Sequence, residues 1–569
     1  MSVVRRMDAL VRPLLEMDRQ SPHRDGRGLP SYGNLLAKSS GEIMLELDGD
    51  VAILGAGFGG SLTALILQRI GLRPVLIEKS RHPRFALGES STPIANLVWQ
   101  DLCRRYDLPR LLPLGEFGSW QRTYPALPCG LKRGFSYFQH HAGKPFAPRA
   151  DHANELLVAA SAGSDDADTH WLRADFDLLL VREVQAAGIA YLDETEVVRE
   201  KERSGQWTVD SGQKRDRHRP PTWRIEASRH GEPIRIAANF IIDASGEGQV
   251  MAKQLGVATA PDGMRTNSRV VFGHFAGVKR WRDWMQEHGG AVVDHPFDCD
   301  DAALHHVFDG GWMYVLRFNN RVTSAGFMLD AERFPIDPNV APADEWQAWL
   351  GRFPSIAWQF ADAELTAATS GIRRTGRLQR RAARVAGPNW AMLPLTAYSL
   401  DALHSTGNAH TLVSIDRLVR ALEITDSDQR TAALARYAEA IQNELSLLDQ
   451  HVHGGYRSFA HFDLYASFAM FYFAAATVSE DRRRRGFARP DEQFLLADDP
   501  RFRSAVEWHL GELCRLTAGG APSDAAVREF KESVSRALVP YNIAGLCDTG
   551  KRNMYPFSGT VSPPRTGVD

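Results

Sequence analysis

Residues 51–80 read VAILGAGFGGSLTALILQRIGLRPVLIEKS, and this stretch decides the fold. The apolar run VAILGA predicts a buried strand, GGSLTALILQRIG has helical spacing, and RPVLIE predicts a second buried strand, which together make a βαβ unit. Gly55, Gly57 and Gly60 have the spacing that permits a tight turn, close approach of a pyrophosphate and close helix–strand packing. Glu78 ends the second strand, where an acidic side chain binds a ribose hydroxyl. The unit therefore predicts a dinucleotide site.

The bulk composition is that of an ordinary globular protein. The 569 residues are 44% hydrophobic and 24% charged with a net charge of −2, so no basic face for nucleic acid is expected. Five scattered cysteines without a CxxC pair indicate neither a disulfide framework nor a zinc site, and they favour a reducing, cytoplasmic location. The apolar run at 464–478 is shorter than the ~18 residues of a membrane span, so we expect a buried helix there and no membrane partner.

The chain divides into three predicted parts. Residues 1–45 form an N-terminal extension, with a short helix at about 7–17 followed by an extended tail. Residues 46–425 form the main core, in which period-2 patterns over 267–330 predict a mixed sheet. Residues 426–569 are predicted to be a helical C-terminal region.

Two further segments favour FAD over NAD as the dinucleotide. LRADFD places Arg173 and Asp177 at the start of a helix, and IIDASGEG places Asp243 and Gly246 at the end of a strand. Both occur at matching places in FAD monooxygenase-like folds, although an acid at a helix start is usually a cap. The sequence has no second G-x-G-x-x-G for an NAD(P)H domain. Another protein, or transient NAD(P)H binding, is therefore expected to reduce the flavin.

The segment RHPRFALGESSTP, residues 81–93, directly follows the second strand. Glu89 and Ser90 present polar side chains and backbone donors at the carboxyl end of the sheet, where open α/β sheets bind ligands. The alternative is a capped helix start, with Ser91 or Thr92 at the N-cap and Pro93 at the first helical position. Both descriptions hold for the same residues.

A second candidate loop is YSLDALHSTGNAHT, residues 398–411, which leads into a helix. The turn that contains Thr406 and Gly407 directs N–H groups outward and predicts an anion site. His404 stands beside it as a candidate catalytic residue, although a lone loop histidine is more often structural. His404 and His410 lack metal-ligand spacing with any acid, so no metal site is predicted.

These stretches together resemble the flavin-dependent halogenases. GESSTP resembles the family's segment near the flavin, and GLKRGFSYFQHHAGKPF resembles the segment of the family's catalytic lysine, here Lys132. LDALHSTG resembles the halide-binding loop, with Thr406 and Gly407 as the amide donors. LHHVFDGGWMYVLRFNN and WLGRFPSIAWQF are most similar to the branch that halogenates a pyrrole in pyrrolnitrin biosynthesis. The resemblance implies an α/β, FAD monooxygenase-like fold, in which a Rossmann-type FAD-binding domain and a mixed-sheet substrate domain are followed by a helical C-terminal region.

The resemblance also implies an activity. Reduced FAD, supplied by a separate flavin reductase, reacts with oxygen to give a flavin C4a-hydroperoxide. A halide held near Thr406 and Gly407 attacks this hydroperoxide and takes its outer oxygen as hypohalous acid. Lys132 guides or traps this oxidant, either as an ammonium that hydrogen-bonds the hypohalite or as an amine that carries the halogen. The substrate is an electron-rich aromatic or pyrrole compound, free or carrier-tethered, in antibiotic biosynthesis. From the residues alone, Lys132 could equally be a surface lysine beside Arg133.

The strand GWMYVLRF departs from the family pattern Trp-x-Trp-x-Ile-Pro. Trp312 and Tyr314 share one face and are expected to wall the flavin off from the substrate. Arg317 replaces the proline, which predicts a more polar site and keeps open an FAD monooxygenase or oxidase that uses no halide. The family's Gly-Asp at the flavin loop is absent, so Asp401 is expected to take over that contact.

The aromatic run FAHFDLYASFAMFYFAAATV, residues 459–478, has two interpretations. A buried core helix is the simpler one. The resemblance implies a C-terminal region over the substrate entrance, so Phe468 and Phe471 are expected to line the distal pocket.

Overall fold

The computed structural model describes residues 34–37, 43–198, 223–366 and 371–557. The helix predicted at about 7–17 lies outside the described residues. The strands are β1 Asn34–Ala37, β2 Ile43–Asp48, β3 Val51–Leu54, β4 Pro74–Ile77, β5 Cys129–Lys132, β6 Gly134–His140, β7 Glu155–Ala159, β8 Asp168–Trp171, β9 Ala190–Leu192, β10 Thr195–Val197, β11 Trp223–Arg229, β12 Glu232–Ala238, β13 Phe240–Asp243, β14 Thr259–Ala260, β15 Ser268–Ala276, β16 Ala303–Phe308, β17 Gly311–Arg317, β18 Thr323–Asp330, β19 Glu364–Leu365, β20 Arg373–Arg374, β21 Arg380–Ala382, β22 Ala386–Gly387, β23 Trp390–Met392, β24 Tyr398–Ser399 and β25 Met554–Tyr555.

The helices are α1 Phe58–Arg69, α2 Pro93–Arg105, α3 Phe117–Thr123, α4 Arg173–Ala186, α5 Val250–Gln254, α6 Trp281–Glu287, α7 Pro342–Gly351, α8 Pro354–Gln359, α9 Pro394–Ala397, α10 Thr406–Glu423, α11 Ser427–Ser458, α12 Phe462–Arg484, α13 Pro500–Ala518 and α14 Asp524–Leu538. Short 3₁₀ helices lie at Leu112–Gly115, Gly246–Gly248, Val292–Asp294, Phe494–Leu496 and Thr549–Lys551.

The predicted βαβ unit forms the centre of a Rossmann-type sheet with strand order β22-β23-β13-β3-β4-β9. β3 and β4 pair in parallel and are buried along their whole lengths, as their apolar sequences require. α1 connects them and begins directly after Gly57. A Cβ added to Gly60 would lie 1.9 Å from the carbonyl oxygen of Gly55, so only glycine lets α1 pack this closely. The predicted fold is confirmed at this point.

A second, nine-stranded sheet has the order β19-β15-β18-β17-β16-β6-β7-β25, with β20 beside β15. It contains the mixed sheet predicted over 267–330, since β16 runs parallel to β6 and antiparallel to β17. On β17, Trp312 and Tyr314 belong to the main hydrophobic core, whereas Met313 and Val315 belong to a second one on the opposite side. The predicted alternation along β17 is therefore present.

The N-terminal boundary differs from the prediction. The strand β2 crosses position 45 and pairs in parallel with β12, in a sheet with order β1-β2-β12-β11-β10. Because Leu45 and Leu47 alternate with Glu46 and Asp48, one side of the strand can pack against the core. Residues just before the βαβ unit are thus part of the fold rather than an extended tail.

Four helices, α11 to α14, build most of the predicted helical C-terminal region. By length and composition, α12 could cross a membrane, but 83% of its most apolar window is buried inside the fold. Its hydrophobicity on all sides is that of a core helix. α12 packs against α11 and α14, and it also contacts α2 of the Rossmann part.

Candidate active site

The glycine-rich turn carries the arrangement that a dinucleotide requires. Gly55 has a φ of +103°, which other residues rarely adopt. At the end of β4, Glu78 Oε2 accepts hydrogen bonds from the Ala56 N–H and from Arg84 Nη2, each at 2.9 Å. Burial raises the pKa of Glu78, but Arg84 and the backbone donors together bring that pKa below its usual value. Glu78 is therefore an ionised carboxylate at the predicted ribose position.

Arg173 joins three predicted segments. Its guanidinium makes two hydrogen bonds of 2.9 Å with the carboxylate of Asp177, and its Nη1 donates to the Leu87 carbonyl at 2.8 Å. A Cβ on Gly57 would lie 3.5 Å from Arg173 Nη2, so the cation borders the glycine-rich turn. This position suits a diphosphate, which needs a positive neighbour beside the helix N-terminus.

The carboxylate of Asp243 is used within the fold. Its Oδ1 accepts from the N–H and Oγ of Ser245 at 3.0 and 2.6 Å, and its Oδ2 accepts from the Met251 N–H at 2.7 Å. Burial raises the pKa of Asp243. The structure thus shows a capping role, and a cofactor contact for Asp243 stays a prediction.

The 81–93 segment runs alongside β8. The Trp171 N–H donates to the Glu89 carbonyl at 2.6 Å. α2 begins at Pro93, as expected, with Thr92 at the N-cap position, but the Thr92 side chain makes no cap hydrogen bond. The Glu89 side chain is 5% exposed, and its Oε1 lies 2.8 Å from His274 Nε2. The segment is therefore held between β8 and the large sheet.

Polar atoms without partners gather around this segment. Ser90 Oγ, Thr92 Oγ1, Tyr314 OH and Asn408 Oδ1 are buried and have no hydrogen bond within the described ranges. Buried polar atoms are nearly always hydrogen-bonded, so such a group indicates a place for a polar ligand. Together with the glycine-rich turn, Glu78 and Arg173, these atoms fit the many donors and acceptors of FAD.

The predicted halide loop meets the same segment. α10 begins at Thr406 after Ser405, which has a φ of 53° and makes no side-chain cap. The first-turn amides, including that of Gly407, thus lie at the positive end of an 18-residue helix. Asn408 Nδ2 donates to the carbonyls of Gly88 and Ser90, each at 3.2 Å. The structure brings the predicted anion site onto the predicted flavin segment.

Asp401 occupies a buried network. It accepts hydrogen bonds from Ser268 Oγ at 2.7 Å, Tyr456 OH at 2.8 Å and Trp312 Nε1 at 3.2 Å. Burial raises the pKa of Asp401 to about 6. Through this last hydrogen bond, Asp401 orients the indole of Trp312. The expected contact of Asp401 with the flavin stays a prediction.

The predicted aromatic wall, Trp312 and Tyr314, is buried, but the charged side chain at the end of the strand, Arg317, points to the other face of the sheet. Trp312 is 1% exposed and Tyr314 is 9% exposed on one face of β17. Arg317 lies on the opposite face, where it donates to Asp300 Oδ1 and to the Val278 carbonyl, each at 2.9 Å. The expectation that Arg317 makes the site beside the wall more polar is therefore wrong, because alternation along the strand turns its side chain away.

Lys132 is fully buried, so the surface-lysine alternative is wrong. Its Nζ donates to the Ser91 carbonyl at 2.5 Å and lies 4.0 Å from the centre of the Phe135 ring. Asp168 is its direct partner across the β5–β8 ladder. Burial lowers the pKa of Lys132 to about 8, while Asp168 and Glu480 act in the opposite direction. At neutral pH the side chain is an ammonium that releases its proton easily.

Glu480 is a candidate site residue that the sequence prediction missed. It lies near the end of α12, is 5% exposed, and lines a cleft together with Phe135 and Tyr472. Burial raises the pKa of Glu480 to about 7, against the lowering effects of Arg484 and Lys132. Its sequence context, SEDRRRR, is typical of a solvated helix end, so only the fold reveals it.

His404 lies in an aromatic chamber rather than on a loop surface. It is 3% exposed, and its ring stacks on Tyr472 with centres 4.3 Å apart. Burial keeps its pKa well below the usual value, with further contributions from His451 and His305. His404 is thus a neutral imidazole whose catalytic role stays a prediction.

Ring contacts connect the lysine with the aromatic wall. Phe135, under the Lys132 ammonium, lies 6.0 Å from His305, and His305 lies 5.0 Å from Trp312, measured between ring centres. Tyr137 stacks on His305 at 4.3 Å, and its hydroxyl has no partner within the described part of the chain. Lys132 and the wall therefore border one continuous aromatic region.

The cleft beside Lys132 has a cavity volume of about 110 Å³, somewhat smaller than the ~150 Å³ cavity that holds benzene in an engineered protein core. Tyr472 and Phe473 of α12 line it. Phe471 instead packs on Phe502 of α13, and Phe468 packs against Phe471. Phe468 and Phe471 therefore do not line this cleft, and their place in a distal pocket stays a prediction.

The fold and the site define a flavoprotein of the FAD monooxygenase-like class. No family model matches the chain. The chain is 26% identical over 517 residues to tetracycline 7-halogenase of Kitasatospora aureofaciens, covering 85% of this chain and 86% of the relative. It is also 26% identical over 530 residues to monodechloroaminopyrrolnitrin halogenase PrnC of Pseudomonas fluorescens, covering 88% of each.

Solved structures agree on the fold. Halogenase PltM in complex with phloroglucinol and FAD matches with a TM-score of 0.76 and 22% identity, over 89% of this chain and 99% of that one. CmlS, a flavin-dependent halogenase, matches with a TM-score of 0.54 and 18% identity, over 87% of this chain and 78% of that one. These comparisons confirm the predicted fold and the predicted relationship to the flavin-dependent halogenases.

Proposed function

We propose that the protein is an FAD-dependent halogenase of an electron-rich aromatic or pyrrole compound in antibiotic-type metabolism. One observation carries the proposal. Residues 88–91 contact the start of α10 through the carbonyls of Gly88 and Ser90, and they contact Lys132 through the carbonyl of Ser91. A single short segment therefore links the predicted flavin and halide side to the buried ammonium.

Each group has a chemical task in this proposal. Bound reduced FAD supplies oxygen activation. The first-turn amides of Thr406 and Gly407 bind the halide beside the flavin segment, since a helix N-terminus favours anions. The Lys132 ammonium donates a hydrogen bond to hypohalous acid and positions its halogen toward the substrate. The aromatic groups around it exclude water, which would otherwise dilute the oxidant.

Glu480 completes the proposed reaction. In the electrophilic substitution, the ring carbon takes the halogen as the oxygen–halogen bond of hypohalous acid breaks, and the oxygen leaves as water after taking a proton from the Lys132 ammonium. The same ring carbon then loses its proton, so a base is required. With a pKa of about 7, Glu480 is partly ionised at neutral pH and lines the cleft that the substrate would enter. We therefore propose that Glu480 accepts this proton, whereas Lys132 holds the hypohalous acid.

The second candidate is an FAD monooxygenase on the same scaffold. The observation that favours it is Tyr314, which stands where the family's wall has a second tryptophan and whose hydroxyl has no partner in the described ranges. A hydroxyl there could position a substrate phenol for direct oxygen transfer. This activity would not depend on halide.

The test uses the full chain with FAD, a flavin reductase, NADH and a panel of phenols and pyrroles, with chloride, bromide or neither. We expect product in which one hydrogen is replaced by halogen, only when halide is present. Product that carries one added oxygen without halide would overturn halogenation in favour of the monooxygenase. Lys132→Ala is expected to bind FAD and yield no halogenated product.

The remaining partners are proposals of the same kind. The substrate is a small molecule. Whether it is bound to a carrier protein is tested by offering the same phenols and pyrroles both free and attached to a carrier. A separate flavin reductase is proposed because no second glycine-rich nucleotide motif occurs in the sequence. A cytoplasmic location is proposed from the cysteines, all five of which are unpaired.

A further inference from the structure

Three metal-ligating side chains meet away from the active site. His152 precedes β7, Glu155 begins it, and His295 follows the 3₁₀ helix Val292–Asp294. Their possible ligand atoms all lie within 4.8 Å of one another. The side chains are 0%, 0% and 1% exposed, respectively. Nothing in the proposed halogenation uses this cluster.

The hydrogen bonds place two lone pairs face to face. His152 Nε2 lies 3.1 Å from Asp294 Oδ2, and because a carboxylate only accepts, this nitrogen carries the proton. The opposite nitrogen, His152 Nδ1, lies 3.6 Å from Glu155 Oε2, which is too far for a hydrogen bond. Within the described residues, Nδ1 and Glu155 Oε1 have no hydrogen-bond partner. A proton on His152 Nδ1, which makes the side chain an imidazolium, or a bound metal ion would satisfy this nitrogen beside the carboxylate.

We propose that His152, Glu155 and His295 bind one divalent transition-metal ion, with zinc as the fitting chemistry. Two imidazoles and one carboxylate form a known zinc ligand set that leaves a fourth position for water. His295 Nε2 lies 2.9 Å from Glu155 Oε2, close to the ~3.3 Å between two ligand atoms of tetrahedral zinc. Asp294 acts on His152 as the carboxylate that orients a ligand histidine. His295 has no such partner among the residues described.

The site would fasten the C-terminal strand to the large sheet. Arg552 Nη2 donates to Asp294 Oδ2 at 3.0 Å, and Asn553 Nδ2 donates to the His152 carbonyl at 3.1 Å. β25 follows immediately and pairs in parallel with β7, and its Tyr555 lines the cleft beside Lys132. An ion at the start of β7 therefore holds the segment that forms one wall of that cleft.

The test begins with the full chain, purified without a metal-affinity tag or chelator. We expect elemental analysis to find one zinc per chain, and expect chelator-treated protein to bind ZnCl₂ in titration calorimetry with one site. His295→Gln and His152→Asn are expected to lose this site. Asparagine is chosen because it tolerates the left-handed backbone of His152, whose φ is 54°. The matched control is the exposed His141→Gln, which should bind zinc like the parent.

Two further measurements keep the proposal open to refutation if a ligand variant folds poorly. Asp294→Asn, which keeps all three ligands, is expected to weaken zinc binding by about 10- to 100-fold. In the unsubstituted chain, zinc is expected to slow hydrogen exchange of residues 552–557. Absence of zinc binding by the chelator-treated parent, or equal binding by all variants including those at His152 and His295, would overturn the proposal.

Discussion

Lys132→Met tests whether the lysine is kept for chemistry or for stability. Methionine retains an unbranched side chain of similar length and removes the charge. The pKa of Lys132 is about 8 instead of 10.5. At about 1.4 kcal/mol for each pH unit, burial disfavours the charged form by roughly 3 kcal/mol. The hydrogen bond to the Ser91 carbonyl returns about 1 to 2 kcal/mol of this. We therefore expect Lys132→Met to be as stable as the parent or more stable, by about 1 to 2 kcal/mol at neutral pH.

The pH dependence of this difference has a defined sign. Below pH 8 the lysine is charged in both the native and the unfolded chain, so the full penalty applies to the parent. Between pH 8 and 10.5 the native lysine is neutral while the unfolded one is still charged, which stabilises the parent as the pH rises. The advantage of Lys132→Met is thus expected to shrink across this window.

The assay pairs unfolding with product analysis. Urea midpoints and melting temperatures are compared for the parent, Lys132→Met and the exposed control Lys144→Met, and each FAD-loaded variant is then assayed for halogenated product. We expect Lys132→Met to be folded and inactive, and Lys144→Met to match the parent. A loss of stability by more than about 2 kcal/mol would mark Lys132 as a structural residue. Retained halogenation would remove it from the mechanism.

Three further outcomes follow from the buried charges. Glu480→Gln is expected to leave flavin oxidation unchanged and to lower the yield of halogenated product at least ~10-fold, because loss of a general base typically lowers the rate 10²–10⁴-fold. An unchanged yield would exclude Glu480 as the base. Product per flavin oxidised is expected to rise through pH 7 as Glu480 ionises and fall above pH 8 as Lys132 loses its proton, and a flat profile would contradict both assignments. Glu444→Gln is expected to destabilise the chain by about 3 kcal/mol in urea melts, because Glu444 pairs with His410 at 2.5 Å and with Arg417 at 2.6 Å. Burial raises the pKa of Glu444, but Arg417 and His410 hold this pKa at about 2. The stabilisation by Glu444 is therefore present above pH 4.5 and is lost as the pH falls toward 2. A stability difference between parent and variant that stays unchanged down to pH 2 would contradict this.

The parts of the fold that the sequence predicts depend on local chemistry. Gly55, Gly57 and Gly60 can be assigned from thirty consecutive residues because a tight turn, a close approach and helix packing each act within one βαβ unit. The side on which Trp312 and Tyr314 lie follows from the period of two in a strand. The same period places Arg317 on the opposite face, and the structure confirms this, so the expected polar effect of Arg317 on the Trp312 side did not follow from the strand pattern.

The parts that the sequence could not predict depend on which distant elements meet. Asp168 faces Lys132 only because β5 and β8 pair in that register, and Glu480 lies in the cleft beside Phe135 only because α12 folds over that cleft. α12 is hydrophobic on all sides, so its sequence does not indicate that Tyr472 and Phe473, rather than Phe468 and Phe471, line this cleft. His152 and His295 are separated by more than a hundred residues, beyond any ligand-spacing rule.

Residues 88–91 also limit how far an oxidant would travel. Successive Cα atoms are about 3.8 Å apart, so Gly88 and Ser91 are separated by about 11 Å at most. The contacts at both ends use backbone carbonyls, from Gly88 to Asn408 and from Ser91 to Lys132. Side-chain changes within the segment therefore leave this spacing intact, whereas changes at Asn408 or Lys132 remove one end of it. In the proposed reaction, this segment borders the path from the start of α10 to the ammonium, so a substitution of the buried lysine tests halogenation more directly than a change in the flavin fingerprint.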